Sequence, residues 1–393
     1  MPKNNEISFG RYFNLPNPGL RSYFDNVRRG QSEEYRTTFA KGSSVQQVLE
    51  DWKPILDTLS DEWPTLVEFE NDLASKVGPM SIMKPLKERM EDIESYYKGI
   101  LLPQKPVAEK AIKAVIAEWS KVRGLQVRSQ IRTATNMKKS TNSGSPYFSK
   151  RSVVMDKSMP VSITPKVVRG HVEYVQHLPT FDWYSAAVLG WRGQEGGPNP
   201  DDVKQRVVWM FPFGVNLAEL CVYQPLIESA QRFDLVPAWV SMESVDSRIT
   251  AMFDTKASDD VVICTDFSKF DQHFNECMQD AAKSILTAIL TPNSESMKWL
   301  ETVFPIKYQI PLAYDFGQIK FGKHGMGSGS GGTNADETLA HRALQYEAAQ
   351  SLGVKLNPNS QCLGDDGVLT YPGIKVEDVV RSYTSHGLEM NPD

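Results

Sequence analysis

The sequence is poor in cysteine. Among 393 residues there are only Cys221, Cys264, Cys277 and Cys362, with no Cys-x-x-Cys pair. A disulfide scaffold and a cysteine zinc site are therefore excluded, and a reducing compartment is expected. Long apolar runs are missing as well. No stretch approaches the roughly 18 apolar residues of a membrane-spanning helix. The opening Met1-Pro2-Lys3-Asn4-Asn5 has no apolar core, so no signal peptide is expected. There is no Gly-x-x-x-x-Gly-Lys-Ser/Thr loop, which removes the P-loop NTPases. Nor is there an overall excess of positive charge. The net charge is −5, which by itself argues against a polyanion partner.

The distribution of charge reverses that argument. Lys121–Met210 carries 14 Lys and Arg against 6 Asp and Glu, a local +8 inside a remainder of −13. A basic block in an acidic chain gives one face to a polyanion and leaves the rest for solubility, or it is a solvated surface; charge alone weighs these equally. Overall, 23% charged and 40% hydrophobic residues describe a globular protein, and the length implies two or three domains.

Periodicity gives the coarse organisation. Residues 1–43 are rich in Asn, Gly, Arg and Ser and read as an extended arm. Ser44 reads as the N-cap of a helix carrying Val45, Val48, Leu49, Trp52, Ile55, Leu56 and Leu59 at helical spacing. A second amphipathic helix is expected over Val107–Val122. The basic block reads as loop-rich, with glycine and proline at 193–200 and a short strand-like run at Val207–Phe211. Val261–Cys264 reads as a buried strand. A helix is expected from near Phe274, with Phe274, Met278, Ile285, Leu286 and Ile289 inward. A glycine-rich loop at 325–332 leads into a helix over Ala335–Leu352. Gln361–Thr370 reads as a tight hairpin, and Val376–Ser385 as a helix.

The chemistry gathers in this last third. Asp365 and Asp366 are adjacent carboxylates at a turn. Adjacent carboxylates repel unless a cation lies between them, and a divalent metal is the usual one; taken alone, Asp-Asp-Gly reads as a solvated turn. Asp266 directly follows the strand at 261–264, at a strand's C-terminal end. Carboxylates at one end of two neighbouring strands would make a two-metal site for phosphoryl transfer. Asp271 follows five residues after Asp266. It reads either as a cap of the next helix or as an acceptor for a ribose hydroxyl. Gly327-Ser328-Gly329-Ser330-Gly331-Gly332 matches the dinucleotide fingerprint in letters only, because the acid at the required distance, Glu347, falls inside a predicted helix. Such a loop before a helix can still bind phosphate or sugar.

In combination these residues resemble one family, the viral RNA-dependent RNA polymerases, and most of all those of the picobirnaviruses, whose genomes are double-stranded RNA. Asp266-x4-Asp271 resembles motif A, Ser328-Gly329-x-x-x-Thr333 motif B, and Gly364-Asp365-Asp366 motif C. They come in the family's order, 62 residues apart from Asp266 to Ser328 and 37 from Ser328 to Asp365. Thr141-Asn142-Ser143-Gly144-Ser145-Pro146-Tyr147 looks like motif G, and Lys204-Gln205-Arg206-Val207-Val208 like motif F. The likeness covers about residue 140 onward.

The resemblance implies an α+β right-hand polymerase whose antiparallel palm sheet is backed by helices. It implies an N-terminal arm over 1–43, fingers over 44–215, palm over 216–273, a helical fingers insertion over 274–320 and the second palm part over 321–393. It implies template-directed nucleotidyl transfer, with Asp266, Asp365 and Asp366 holding two Mg²⁺ (or Mn²⁺) ions. Lys204 and Arg206 would face the triphosphate. Asp271, Ser328, Gly329, Thr333 and Asn334 would position base and ribose, and Thr141, Ser143, Gly144 and Pro146 the template. Expected partners are RNA template and product, nucleoside triphosphates and a viral capsid protein, in the virion and host cytoplasm, with no membrane segment.

Two departures stand out. Many relatives have Asn four residues after the motif B threonine, where this chain has Glu337; Asn334 adjoins the threonine instead, so the partner of Asp271 is open. Family members also continue into a motif D lysine, motif E and a helical thumb, and the chain ends at Asn391-Pro392-Asp393, so a C-terminally incomplete polymerase is expected. Two other functions compete. A reverse transcriptase would carry a bulky aromatic where Asp271 stands. A non-enzymatic viral RNA-binding protein would not need three carboxylates at these spacings.

Overall fold

The structure is a computed structural model that describes residues 9–13, 18–31, 43–76, 82–194, 197 and 199–391. The chain divides into two compact units. One comprises residues 1–17, 93–188 and 209–393, and the other 18–92 and 189–208.

The larger unit is built on the helix Thr333–Ser351, which is buried along most of its length. Helices Glu109–Glu118, Glu276–Ile289 and Val376–Thr384 pack against it. Glu276–Ile289 begins where Asn275 accepts the backbone N–H groups of Cys277 and Met278, so the cap sets the start two residues beyond Phe274. Met278, Ile285, Leu286 and Ile289 are fully buried, as their spacing predicts. Each such side chain contributes about 1.5–3 kcal/mol by leaving water.

A three-stranded antiparallel sheet lies on the buried helix in the order Gln361–Leu363, Asp366–Leu369, Ile263–Thr265. Its edge strand is shorter and later than Val261–Cys264. Val261 is half exposed, its carbonyl taken by the Thr370 hydroxyl rather than by a ladder, and only Ile263 and Thr265 turn inward. Gly367 pairs with Thr265. A Cβ at Gly367 would stand 2.6 Å from the His341 ring and 2.6 Å from Thr265 Oγ1, so glycine lets the strand lie directly on the helix.

The basic block has more strand than expected. Ser162–Val168, His171–His177 and Asp182–Tyr184 form an antiparallel meander, and Ala187 and Val188 pair in parallel with Leu312 and Ala313. In the 274–320 region the helices give way to an antiparallel pair, Leu312–Asp315 with Gln318–Lys320.

In the smaller unit, the expected arm contains a helix, Pro18–Arg29, with Leu20, Phe24 and Val27 buried. Residues 1–8, 14–17 and 32–42 of that arm lie outside the described residues, as do 195, 196 and 198 of the second loop. Helix Val45–Asp57 starts at Ser44, whose hydroxyl accepts the Gln47 N–H. Its apolar positions Val48, Leu49, Trp52 and Ile55 are exposed. Gln205 ties this unit together through the Ile82 carbonyl (2.7 Å) and the Lys84 N–H (3.2 Å). Among the described residues, no helix is long and apolar enough to cross a membrane.

Candidate active site

The hairpin places the acids. Leu363 pairs with Asp366, so Gly364 and Asp365 form a two-residue turn, with Gly364 at φ +57°. Gly367 opposite Thr265 sets the next positions outward, Asp366 and Asp266, facing each other at the end of the ladder. All three carboxylates are exposed. Asp271 reaches the same place by another route. Lys269 takes a left-handed conformation, φ +53°, and the one-turn helix Phe270–His273 follows with Asp271 in it.

The acids act on one another. Asp365 has its pKa raised above the ordinary carboxylate value, first by desolvation and then by Asp366, Asp271 and Asp266. Oxygen-only donors of like charge at one end of a sheet suit a hard divalent cation such as Mg²⁺ or Mn²⁺. Among the described residues no group of three or more acid, His or Cys side chains is placed to hold a metal ion as it stands. Asp266 is also held from the side: Asn391 Nδ2 donates to its Oδ2 at 2.5 Å, and the Asn391 N–H to its carbonyl at 3.0 Å.

Behind the turn lies a layer of polar groups that the spacing does not reveal. His341 Nδ1–H donates to the Gly364 carbonyl at 2.8 Å, and burial pushes this imidazole down to about 4, so it is neutral. Thr338 Oγ1 accepts the Gly364 N–H at 2.9 Å. Glu337 is buried with its pKa well above the usual range, through burial first and then Asp271, with which it shares a hydrogen bond. Burial thus favours the protonated form of Glu337 beside Asp271. In the structure Glu337 is the hydrogen-bond partner of Asp271, while Asn334 is exposed and its Oδ1 accepts the Trp239 Nε1–H at 2.7 Å.

The motif B loop is clamped on both sides. Ser328 Oγ accepts the Trp209 N–H at 3.2 Å, and Asn216 Nδ2 donates to the Gly329 carbonyl at 3.0 Å. A Cβ at Gly329 would fall 1.6 Å from the Trp209 carbonyl, so no other residue fits. Buried Glu219 accepts the Gly331 N–H (3.2 Å) and the Ser330 hydroxyl. Thr333 Oγ1 closes the loop onto the Gly327 carbonyl at 3.1 Å. The carboxylates, Asp271 and this loop thus come together in one unit.

The remaining expected residues stand differently. Lys204 and Arg206 are exposed on strand Lys204–Met210, in the smaller unit. Thr141 is exposed, but Ser143, Gly144 and Pro146 are buried. The Ser143 carbonyl accepts the Phe213 N–H at 2.7 Å and its Oγ accepts the Ser149 N–H at 3.1 Å, so these residues shape the loop from inside.

The family model for viral RNA-dependent RNA polymerases matches residues 201–393. A human picobirnavirus protein described as a potential RNA-dependent RNA polymerase is 62% identical over 98% of this chain and 71% of its own length. The chain belongs to the viral RNA-dependent RNA polymerases. The crystal structure of an insertion-loop deletion mutant of a human picobirnavirus polymerase superposes with a TM-score of 0.89 at 62% identity, covering 98% of this chain and 75% of that one. Fold likeness alone extends to the Sicinivirus 3Dpol polymerase, with a TM-score of 0.56 at 12% identity over 76% of this chain and 66% of that one. The right-hand polymerase fold and the antiparallel sheet backed by helices are those expected. Reverse transcriptase and a non-enzymatic role are set aside by this membership.

Proposed function

We propose that this polymerase replicates and transcribes a viral RNA genome by two-metal nucleotidyl transfer. The supporting observation is the influence of Asp366, Asp271 and Asp266 on Asp365 at one end of the palm sheet, with no protein cation among the largest influences. Asp266 and Asp365 would hold two Mg²⁺ or Mn²⁺ ions, with Asp366 orienting Asp365 or serving as an outer ligand. When bound, the ions supply a lowered pKa for the attacking 3′-hydroxyl and charge stabilisation for the leaving pyrophosphate. Asn391 and the Gly364 turn, pinned by His341 and Thr338, fix the carboxylates that do this.

The exposed Lys204 and Arg206 carry the charge to neutralise a triphosphate, Arg206 in a fork that can take two oxygens. Ser328, Gly329, Thr333 and Asn334 position the base and ribose. Asp271, given a proton donor by neutral Glu337, accepts from the ribose 2′-hydroxyl. Residues 141–146 guide template, through exposed Thr141 and a surface shaped by Ser143, Gly144 and Pro146. The same reading assigns an arm to 1–43, fingers to 44–215 and 274–320, and palm to 216–273 and 321–393. It also assigns a double-stranded genome, a capsid partner, and action in the virion and host cytoplasm.

The test is Asp365→Asn. Removing one carboxylate charge should lower nucleotide incorporation at least about a hundredfold and weaken Mn²⁺ binding, with the fold intact. Incorporation near the wild-type rate sinks the two-metal assignment.

A further inference from the structure

A cleft of about 510 Å³ opens on the larger unit, between the segment 121–132 and the C-terminal half of helix Phe213–Arg232. No carboxylate lines it. Lys121, Arg123, Arg128, Arg132 and Arg232 do. Arg128 is engaged, donating to Glu228 and, at 3.2 Å, to Gln224 Oε1. The other four are exposed, and among the described residues none forms an ion pair. Glu228 is held below its ordinary pKa by Arg128 first, then by Arg132 and Arg232. Against the one carboxylate of Glu228, the five cations of the cleft leave a clear excess of positive charge among the described residues.

A second observation narrows the ligand. Phe233 also lines the cleft and is 38% exposed, with Lys121 Nζ 5.7 Å from its ring centroid. A partly exposed ring among cations suits single-stranded nucleic acid, whose phosphates meet the charges while a base stacks on the ring. An acidic peptide would satisfy the charges and leave the ring face without a counterpart.

The helix relates this place to the catalytic centre. At one end Asn216 and Glu219 hold the motif B loop, and at the other Ser229 and Arg232 line the cleft. From Glu219 to Arg232 the helix advances about 20 Å at roughly 1.5 Å per residue. The cleft is thus a separate place on the same rigid element.

We infer that this cleft is a second RNA site, which holds single-stranded RNA outside the catalytic centre through Lys121, Arg123, Arg132 and Arg232 on phosphates and Phe233 on a base. The choice of RNA as the nucleic acid rests on the polymerase reading, but binding here requires no metal.

The experiment measures binding of a labelled single-stranded oligouridylate to the whole chain in EDTA, over a salt series. Arg123→Gln/Arg132→Gln/Arg232→Gln should weaken binding at least about tenfold and flatten the slope of log K against log salt by about 2. Arg132→Gln alone should flatten it by about 1, which keeps the test open should the triple variant fold poorly. Phe233→Ala should weaken binding about fivefold or more, and Phe233→Trp should retain it. Single-nucleotide addition to a preannealed primer–template should stay at the wild-type rate in all of them. Unchanged affinity and slope in a triple variant that melts like wild type overturns the site. Full competition by ATP at equal phosphate makes it a nucleotide site, and equal competition by polyglutamate makes it a peptide site; either overturns the RNA assignment. An unaffected Phe233→Ala removes the stacked base, and with it the single-stranded assignment. Because no metal is present, failure of the two-metal reading leaves these outcomes unaltered.

Discussion

Two groups of acids within the same unit have opposite electrostatics. Asp336 is fully buried one helical residue from Glu337, and it is matched from within. Lys307 Nζ lies 3.0 Å from its Oδ2, and the hydroxyls of Tyr223 (2.7 Å) and Tyr308 (2.6 Å) donate to it. Lys307 also lies over the Phe304 ring at 3.8 Å and bonds the Phe304 carbonyl at 2.6 Å. Glu219 completes this knot and is also acted on by Lys307. At the hairpin, the largest influences on Asp365 after burial include three other acids, and no cation is among them. A buried carboxylate matched inside the protein holds structure. Acids at the surface that raise one another's pKa can instead take a cation from outside, which is what a metal-dependent reaction needs.

Charge removal should therefore act with opposite sign at the two places. The largest effect is expected in the knot. Lys307→Met leaves Asp336 and Glu219 buried without their cation and should cost about 3–5 kcal/mol in urea unfolding. Adding Asp336→Asn should recover part of that loss, and a double variant no better than the single one breaks the comparison. At the hairpin, Asp365→Asn should bring its roughly hundredfold loss of turnover with no fall in melting temperature, because it relieves repulsion.

Burial pushes His324 and His341 down to about 4, and His341 holds the Gly364 turn from the buried helix. The unfolded chain takes up these protons near pH 6.5, so the stability they contribute is full above that value and is lost as pH falls towards 4. Going from about pH 7.5 to about pH 5 should cost roughly 2 kcal/mol per imidazole. Urea midpoints at both pH values should show a smaller loss in His341→Gln; an equal loss removes His341 from the account.

The smallest effect concerns sugar choice. If Asp271 accepts from the ribose 2′-hydroxyl as proposed, a deoxynucleotide would lose that hydrogen bond at a cost of about 1–3 kcal/mol. Asp271→Ala should shrink the ratio of kcat/KM for ATP over dATP accordingly, on one RNA template. Glu337→Gln retains a donor and should preserve the ratio, whereas Glu337→Leu should lower it. An unchanged ratio in Asp271→Ala returns that residue to a helix cap.

Much of this was legible in the chain, for local reasons. The hairpin at Gln361–Thr370 is written in its Gly and Asp turn, helix Glu276–Ile289 in its apolar spacing, and helix Val45–Asp57 in Ser44. Spacing also fixed the order of the acids. Other features carried no local signal. Leu20, Phe24 and Val27 are at helical spacing within a polar segment that hid them, and the meander in the basic block lies between turn-rich stretches.

By itself the sequence determined which residue types stand at the strand end, the turn and the glycine loop, because turn and cap preferences act over a few neighbouring residues. Only the tertiary structure decided which acids receive a matching charge. Lys307 reaches Asp336 across 29 residues, Glu219 reaches Gly331 across 112, and Asn391 reaches Asp266 across 125. It also left the apolar face of helix Val45–Asp57 exposed while burying that of Glu276–Ile289, although both have the same kind of spacing. Amphipathic spacing makes a helix and orients its face, but what covers that face, and what neutralises a buried charge, depends on residues brought together from distant parts of the chain.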